Sequence, residues 1–217
     1  MLRRALVVVD VQNDFVDGSL GTARGAEVAA AISSLFASDA NTYAHIVGTL
    51  DWHIDPKGHF AKVGEEPDYS ETWPVHCLAD SHGAQPYPAL DTAPIEVWFR
   101  KGQHSAAYSG FEGITEMDLG VNAGSVHGAG TGTTVGEEAE ERNEHSSEGL
   151  AEWLQDRQIT HVDVVGIATD FCVKATALDA HAEGFHTTVL ENLCSPVSEE
   201  GARTAISEMQ AAGVHIA

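Results

Sequence analysis

Apolar residues fall in short, continuous runs that stop abruptly at polar ones. Residues 5–9 read Ala-Leu-Val-Val-Val and end at Asp10. A run this short and this apolar suits a parallel strand buried on both faces. Similar runs predict strands at 45–50, ending at Asp51, at 95–100, ending at Lys101, and at 162–165, 186–190 and 214–216. Helical spacing fills the intervals. Val28, Ile32, Leu35 and Phe36 repeat on one face, Leu150, Trp153 and Leu154 mark a short helix, and residues 171–183 are alanine-rich without Gly or Pro. Ser198 stands where it can cap a last helix carrying Ala202, Ala205, Ile206 and Met209, with Gly213 just past its end. Strands alternating with helices predict an α/β fold. The expected architecture is a three-layer αβα domain over residues 1–217, with a mostly parallel, roughly six-stranded sheet.

Two stretches break the pattern. Residues 52–90 have no sustained period, and so long a loop inside a compact domain is usually functional. From 114 to 147 the composition shifts to Gly, Thr, Glu and His, with Glu137, Glu138, Glu140, Glu141 and Glu144 clustered. This predicts a flexible, solvated insertion, too polar to be a domain of its own. Elsewhere the composition is globular, with 43% hydrophobic residues in 217. No run approaches the roughly 18 apolar residues of a membrane span. The opening Met1-Leu2-Arg3-Arg4 lacks the pattern of a signal peptide, so a cytoplasmic location is expected. The formal charge of −22, from 33 acidic against 11 basic residues, repels nucleic acid and anionic membranes and excludes both as partners. Cys77, Cys172 and Cys194 are an odd number without CxxC spacing, against a disulfide framework or a cysteine-ligated zinc. No G-x-G-x-x-G or Walker loop supports nucleotide binding.

Ligands of open α/β sheets bind beyond the carboxyl ends of the strands. There the sequence puts Asp10, Asp51, Lys101 (one of only four lysines) and the turn that carries Cys172. A thiol near a helix N-terminus meets unpaired N–H groups and a positive dipole, which predict a lowered pKa and a place for an oxyanion. A buried structural cysteine is the alternative. Asp10 suits a general base, and Lys101 a partner that favours the thiolate. Asp51-x-His53, then His59 and His76, offer imidazole and carboxylate ligands suited to zinc, iron or manganese. Chance clustering among 12 histidines is the alternative there. His82 and His104 are secondary candidates, while His127 and His145 fall in the acidic insertion. Taken together, the residues suggest thiol-based acyl transfer beside a bound metal.

The motifs V-V-D-V-Q-N-D-F (8–15), D-W-H-I-D-P-x-x-H-F (51–60), W-P-V-H-C (73–77), F-R-K-G (99–102), Y-S-G-F-E-G (108–113) and G-I-A-T-D-F-C-V (166–173) carry a resemblance. The chain resembles the nicotinamidase/pyrazinamidase family of isochorismatase-like hydrolases, nearly throughout apart from residues 114–147. The resemblance implies a catalytic triad of Asp10, Lys101 and Cys172. It implies one divalent metal ion, zinc, iron or manganese, on Asp51, His53, His59 and His76. It also implies a cis peptide between Ile167 and Ala168, an oxyanion hole from the amides of Ala168 and Cys172, and a flat slot lined by Phe15, Trp73, Tyr108 and Ile167. The implied reaction is hydrolysis of nicotinamide to nicotinate and ammonia, and of pyrazinamide to pyrazinoate, in NAD salvage. Implied partners are these small molecules, with the protein a monomer or homo-oligomer. The insertion departs from the family and is a surface loop, a lid or an oligomer contact. Two alternatives are a related amidase acting on another small amide or carbamoyl compound, and a non-catalytic metal-binding or redox module. The joint presence of Asp10, Lys101 and Cys172 speaks against the latter, since a metal binder needs none of them.

Overall fold

The computed structural model describes residues 2–39, 42–115 and 147–217. At its centre is β1 (Arg4–Val9), whose last five residues are buried. It pairs in parallel with β2 (His45–Asp51) on one side and β5 (His161–Ile167) on the other. Outward from β2 come β3 (Val97–Lys101), parallel, and β4 (Ile114–Thr115), antiparallel; outward from β5 come β6 (His186–Ser195) and β7 (His215–Ile216), both parallel. The order is therefore β4-β3-β2-β1-β5-β6-β7, seven strands where the apolar runs predict six.

Period-2 alternation along β1 divides the core. Ala5, Val7 and Val9 face α3 (Leu150–Asp156), α4 (Lys174–Ala182) and α5 (Glu199–Ala212). Leu6 and Val8 face α1 (Asn13–Val16) and α2 (Gly25–Asp39). A central strand covered by helices on both sides has no wet face, which is why its sequence is apolar throughout. The end of β5 comes against β1 so closely that a Cβ on Gly166, at φ +118°, would sit 2.1 Å from the Val9 carbonyl oxygen. Only glycine fits there. Ser198 caps α5 by accepting from the Gly201 N–H, and Gly213 ends it in the left-handed conformation, both as predicted.

Three local expectations change. Ile114 and Thr115 pair with Arg100 and Phe99 as β4, although the composition assigns them to the insertion; the remainder of that stretch, 116–146, lies outside the described residues. β6 continues past Leu190 to Ser195 through a register shift opposite Val164 to Gly166, after which Cys194 and Ser195 pair with Gly166 and Ile167. The helix expected from Phe171 begins instead with a π turn, Thr169–Val173, which passes into α4. No helix among the described residues is long and apolar enough to cross a membrane.

Candidate active site and metal centre

Parallel pairing delivers the strand-end residues to one place. Asp51 and Lys101 are register partners at the ends of β2 and β3, and Asp10 follows β1 directly. Asp10 turns the chain at φ +47°, an uncommon conformation outside glycine. Its Oδ1 accepts a 2.6 Å hydrogen bond from the Thr49 hydroxyl. The Lys101 ammonium, fully buried, hydrogen-bonds Asp51 Oδ1 and lies 2.8 Å from Asp10 Oδ2. It also donates to the Ala107 carbonyl at 3.3 Å and to Cys172 Sγ at 3.7 Å. The approach to Asp10 Oδ2 is an ion pair that runs off the ideal hydrogen-bond direction. That oxygen is an open acceptor in a dry site, close to the thiol.

Electrostatics follow from burial. Removal from water pulls the Lys101 ammonium down, but the Asp10 and Asp51 carboxylates outweigh it and hold the pKa well above the usual lysine value. Burial raises Asp10, against the lowering by Lys101. Asp51 resists the same push, because Lys101, His53 and His76 hold it well below the carboxylate range. Burial drives the Cys172 thiol well up, and Lys101 does not offset this while Asp10 and Asp51 add to it. Burial thus opposes the lowering expected from a helix N-terminus. Cys172 lies buried within the π turn, and desolvation of a thiolate there exceeds what a helix end and one lysine supply. A thiol of this kind needs a base at the moment it reacts.

Asp51 links this cluster to a second. Its Oδ2 stands 3.5 Å from His53 Nε2 and 3.7 Å from His76 Nε2, which are 3.3 Å from each other. The far nitrogens are engaged elsewhere: His53 Nδ1 bonds the Gly102 carbonyl at 2.6 Å and His76 Nδ1 the Pro74 carbonyl at 2.7 Å. Such outer bonds fix the tautomer and leave the inward lone pairs free, the usual dressing of metal-binding histidines. His59 completes the group, with donor atoms of all three histidines within 4.8 Å of one another. Burial and its two histidine neighbours push His59 down to about 4, so its ring is neutral at pH 7. Its Nδ1 is buried without a hydrogen-bond partner, a polar atom that a ligand would satisfy. Three imidazoles and one carboxylate fit a divalent transition metal.

The irregular loop predicted at 52–90 assembles this centre through isolated bridges. His53 pairs with Leu78 and Phe60 with Trp73, setting His59 and Trp73 side by side. Tyr108 is held from the other side. Glu112 accepts from the N–H groups of Tyr108 and Ser109, within a capping box at the 3₁₀ turn Gly110–Glu112. Trp73 Nε1 donates to the Tyr108 hydroxyl at 3.0 Å, which closes one wall of a cleft enclosing about 360 Å³ out to its mouth. Phe15, Trp73, Tyr108, Asp51, His59, His76, Ala168 and Cys172 line it. Ile167 does not; its side chain is fully buried in the core below, so it supports the floor instead of lining the slot. The Ile167–Ala168 peptide is cis. His82 and His104 stand outside the three-histidine group, and His127 and His145 outside the described residues. Sequence reasoning passed over Leu20, Phe171 and Val197, which complete the lining. Only Phe171 carried a signal, by its place next to Cys172. It also missed Thr49, a hydroxyl inside an otherwise apolar strand.

The sequence model of the Isochorismatase domain matches residues 141–217. A nicotinamidase/pyrazinamidase of Mycobacterium tuberculosis is 43% identical over 98% of this chain and 97% of its own length. Among solved structures, PnC1 from L. infantum in complex with nicotinate superimposes with a TM-score of 0.73 at 28% identity, covering 99% of this chain and 92% of that one. The pyrazinamidase of Pyrococcus horikoshii in complex with zinc gives 0.71 at 26% identity, covering 99% and 98%. With the strand-end cluster, the histidine centre and near full-length identity in agreement, the chain belongs to the nicotinamidase/pyrazinamidase family of isochorismatase-like hydrolases.

Proposed function

We propose that this protein hydrolyses nicotinamide to nicotinate and ammonia, and pyrazinamide to pyrazinoate, through a thioester on Cys172. The observation that carries the reading is Lys101, whose buried ammonium touches Asp10, Asp51 and the Cys172 sulfur at once beside the three histidines. Asp10 Oδ2 takes the thiol proton as Cys172 Sγ attacks the carboxamide carbon. The backbone amides of Ala168 and Cys172 receive the developing oxyanion. Asp10 then protonates the amine, which leaves as ammonia, and the thioester remains. Water, deprotonated by Asp10, cleaves the thioester; the proton returns to sulfur and nicotinate departs. Lys101 stays charged throughout and keeps the paired carboxylates in place.

Phe15, Trp73 and Tyr108 fit the faces of a flat heteroaromatic ring. Asp51, His53, His59 and His76 would hold the metal, whose contribution when bound is a Lewis acid that grips the ring nitrogen and orients the amide. Zinc, iron and manganese all suit this donor set, and the related P. horikoshii enzyme was solved with zinc. The role that follows is recycling of nicotinamide toward NAD.

Ammonia release from nicotinamide, followed before and after chelation and metal return, tests the proposal. Turnover that stops on chelation and recovers on return is expected. Cys172→Ala should abolish it while retaining fold and metal. Absence of turnover with every returned metal would redirect the assignment to another small amide.

A further inference from the structure

The proposed chemistry uses Asp10 and Phe15 from the first motif but leaves Gln12, Asn13 and Asp14, three of the four residues between them, idle. All three are polar, and Gln12 and Asn13 are buried. Buried polar side chains persist where their hydrogen bonds are filled. Both ends of the Gln12 carboxamide are engaged. Its Oε1 accepts from the Asp51 N–H at 2.9 Å, and its Nε2 donates to the Asp51 carbonyl and the Ala84 carbonyl, each at 2.8 Å. The Asp51 backbone is thus gripped on both sides of its Cα. Asn13 Nδ2 donates to the His82 carbonyl at 2.7 Å. Asp14 Oδ2 accepts from the Cys77 N–H at 2.7 Å.

Cys77 follows His76 and holds φ +44°, a conformation unfavourable for a side-chain-bearing residue. The Asp14 bond stabilises it there, and the turn it belongs to aims the His76 ring. The carboxylate sits in a tight recess, since a Cβ on Gly83 would come within 2.0 Å of Asp14 Oδ2. The two clamps grip opposite sides of one gap, the 3.7 Å between Asp51 Oδ2 and His76 Nε2. Neither Gln12 nor Asp14 belongs to the histidine group or lines the cleft.

We infer that Gln12 and Asp14 are positioning residues that set the metal affinity of the site by locking Asp51 and His76 from behind. The inference rests on the proposed metal centre. Outer residues that orient metal ligands typically govern affinity by roughly 10- to 100-fold. Asp14→Ala leaves the Cys77 N–H unsatisfied and frees the turn. Asp14→Asn keeps an acceptor of the same shape and should restore most of the loss. Gln12→Met keeps length and removes both clamp bonds.

The test is the zinc dissociation constant of the whole protein, measured by competition with a chromogenic chelator, together with the thermal midpoint of the metal-free form. Asp163→Ala, which removes a buried carboxylate at the opposite end of the sheet, is the control. Asp14→Ala and Gln12→Met should each weaken zinc binding about 10- to 100-fold. Asp163→Ala should lower the midpoint and leave affinity within about 2-fold. Should Asp14→Ala not fold, Gln12→Met and Asp14→Asn carry the comparison. Unchanged affinity in Gln12→Met, or an equal loss in Asp163→Ala, overturns the inference while the metal centre stands. A wild-type protein that binds no zinc, iron or manganese overturns both.

Discussion

The two ends of the central strands both bury charge, and they treat it oppositely. At the amino ends, Asp163 on β5 accepts two hydrogen bonds from Arg4 on β1, at 2.6 and 2.7 Å, and a third from the Tyr43 hydroxyl at 3.1 Å. Both carboxylate oxygens are engaged, each by the same guanidinium nitrogen, Nη1, and one of them by the tyrosine as well. At the carboxyl ends, Asp10 has one oxygen bonded to Thr49 and the other facing an ammonium off the ideal hydrogen-bond direction. The first arrangement has nothing left to do. The second holds capacity in reserve, and a sulfur lies next to it. Saturation of hydrogen bonds, more than the presence of charge, separates a structural ion pair from a reactive one.

The contrast can be broken from either side. Asp10→Asn should have the largest effect, cutting turnover by roughly 10²- to 10⁴-fold through loss of the base. Its thermal midpoint should fall less than that of Asp163→Ala, because Asp51 remains as the counter-charge of Lys101; a larger fall would assign Asp10 a structural role. Asp163→Ala should do the reverse. Because the Arg4 side chain is partly exposed, a destabilisation of about 2–3 kcal/mol is expected, less than for a fully buried pair. Denaturant titration reads that loss, and an unchanged kcat/KM confirms that the two ends are independent. The smallest effect belongs to Cys194, a second buried sulfur near the carboxyl edge. Burial pushes its thiol up to about 12, and no carboxylate cluster adjoins it to take the proton. Cys194→Ser should leave the rate of ammonia release unchanged and cost about 1 kcal/mol or so of stability. A marked loss of rate would mean that the depth of burial, and not the neighbouring base, is what distinguishes the two thiols.

Much of this arrangement was legible in the sequence, for a physical reason. In a parallel sheet, neighbouring strands end on the same side, so the polar residue closing each apolar run marks a site without any knowledge of the loops. Asp10, Asp51 and Lys101 were placed in that way. The candidate metal ligands were readable from residue type and spacing, although Phe60–Trp73 and His53–Leu78, the bridges that gather them, leave no periodic trace. What depended on partners distant in sequence was not readable. β4 exists because Phe99 and Arg100 offer an open edge, and the second half of β6 because the register shifts opposite β5. The burial that raises the Cys172 thiol was not readable either, because proximity to a helix start can be read locally, whereas depth of burial is a property of the whole fold.

The central position of β1 also governs when activity can arise during synthesis. Among the described strands β1 leaves the ribosome first, yet it needs β2 on one flank and β5 on the other. Until β5 emerges, more than 150 residues later, one hydrogen-bonding edge of the most apolar strand is uncovered. In that interval the chain also lacks Cys172, the candidate nucleophile, which follows directly after β5. The strand that covers the second flank of β1 and the candidate nucleophile are thus delivered together, and β6, α5 and β7 then finish the sheet and the cleft wall.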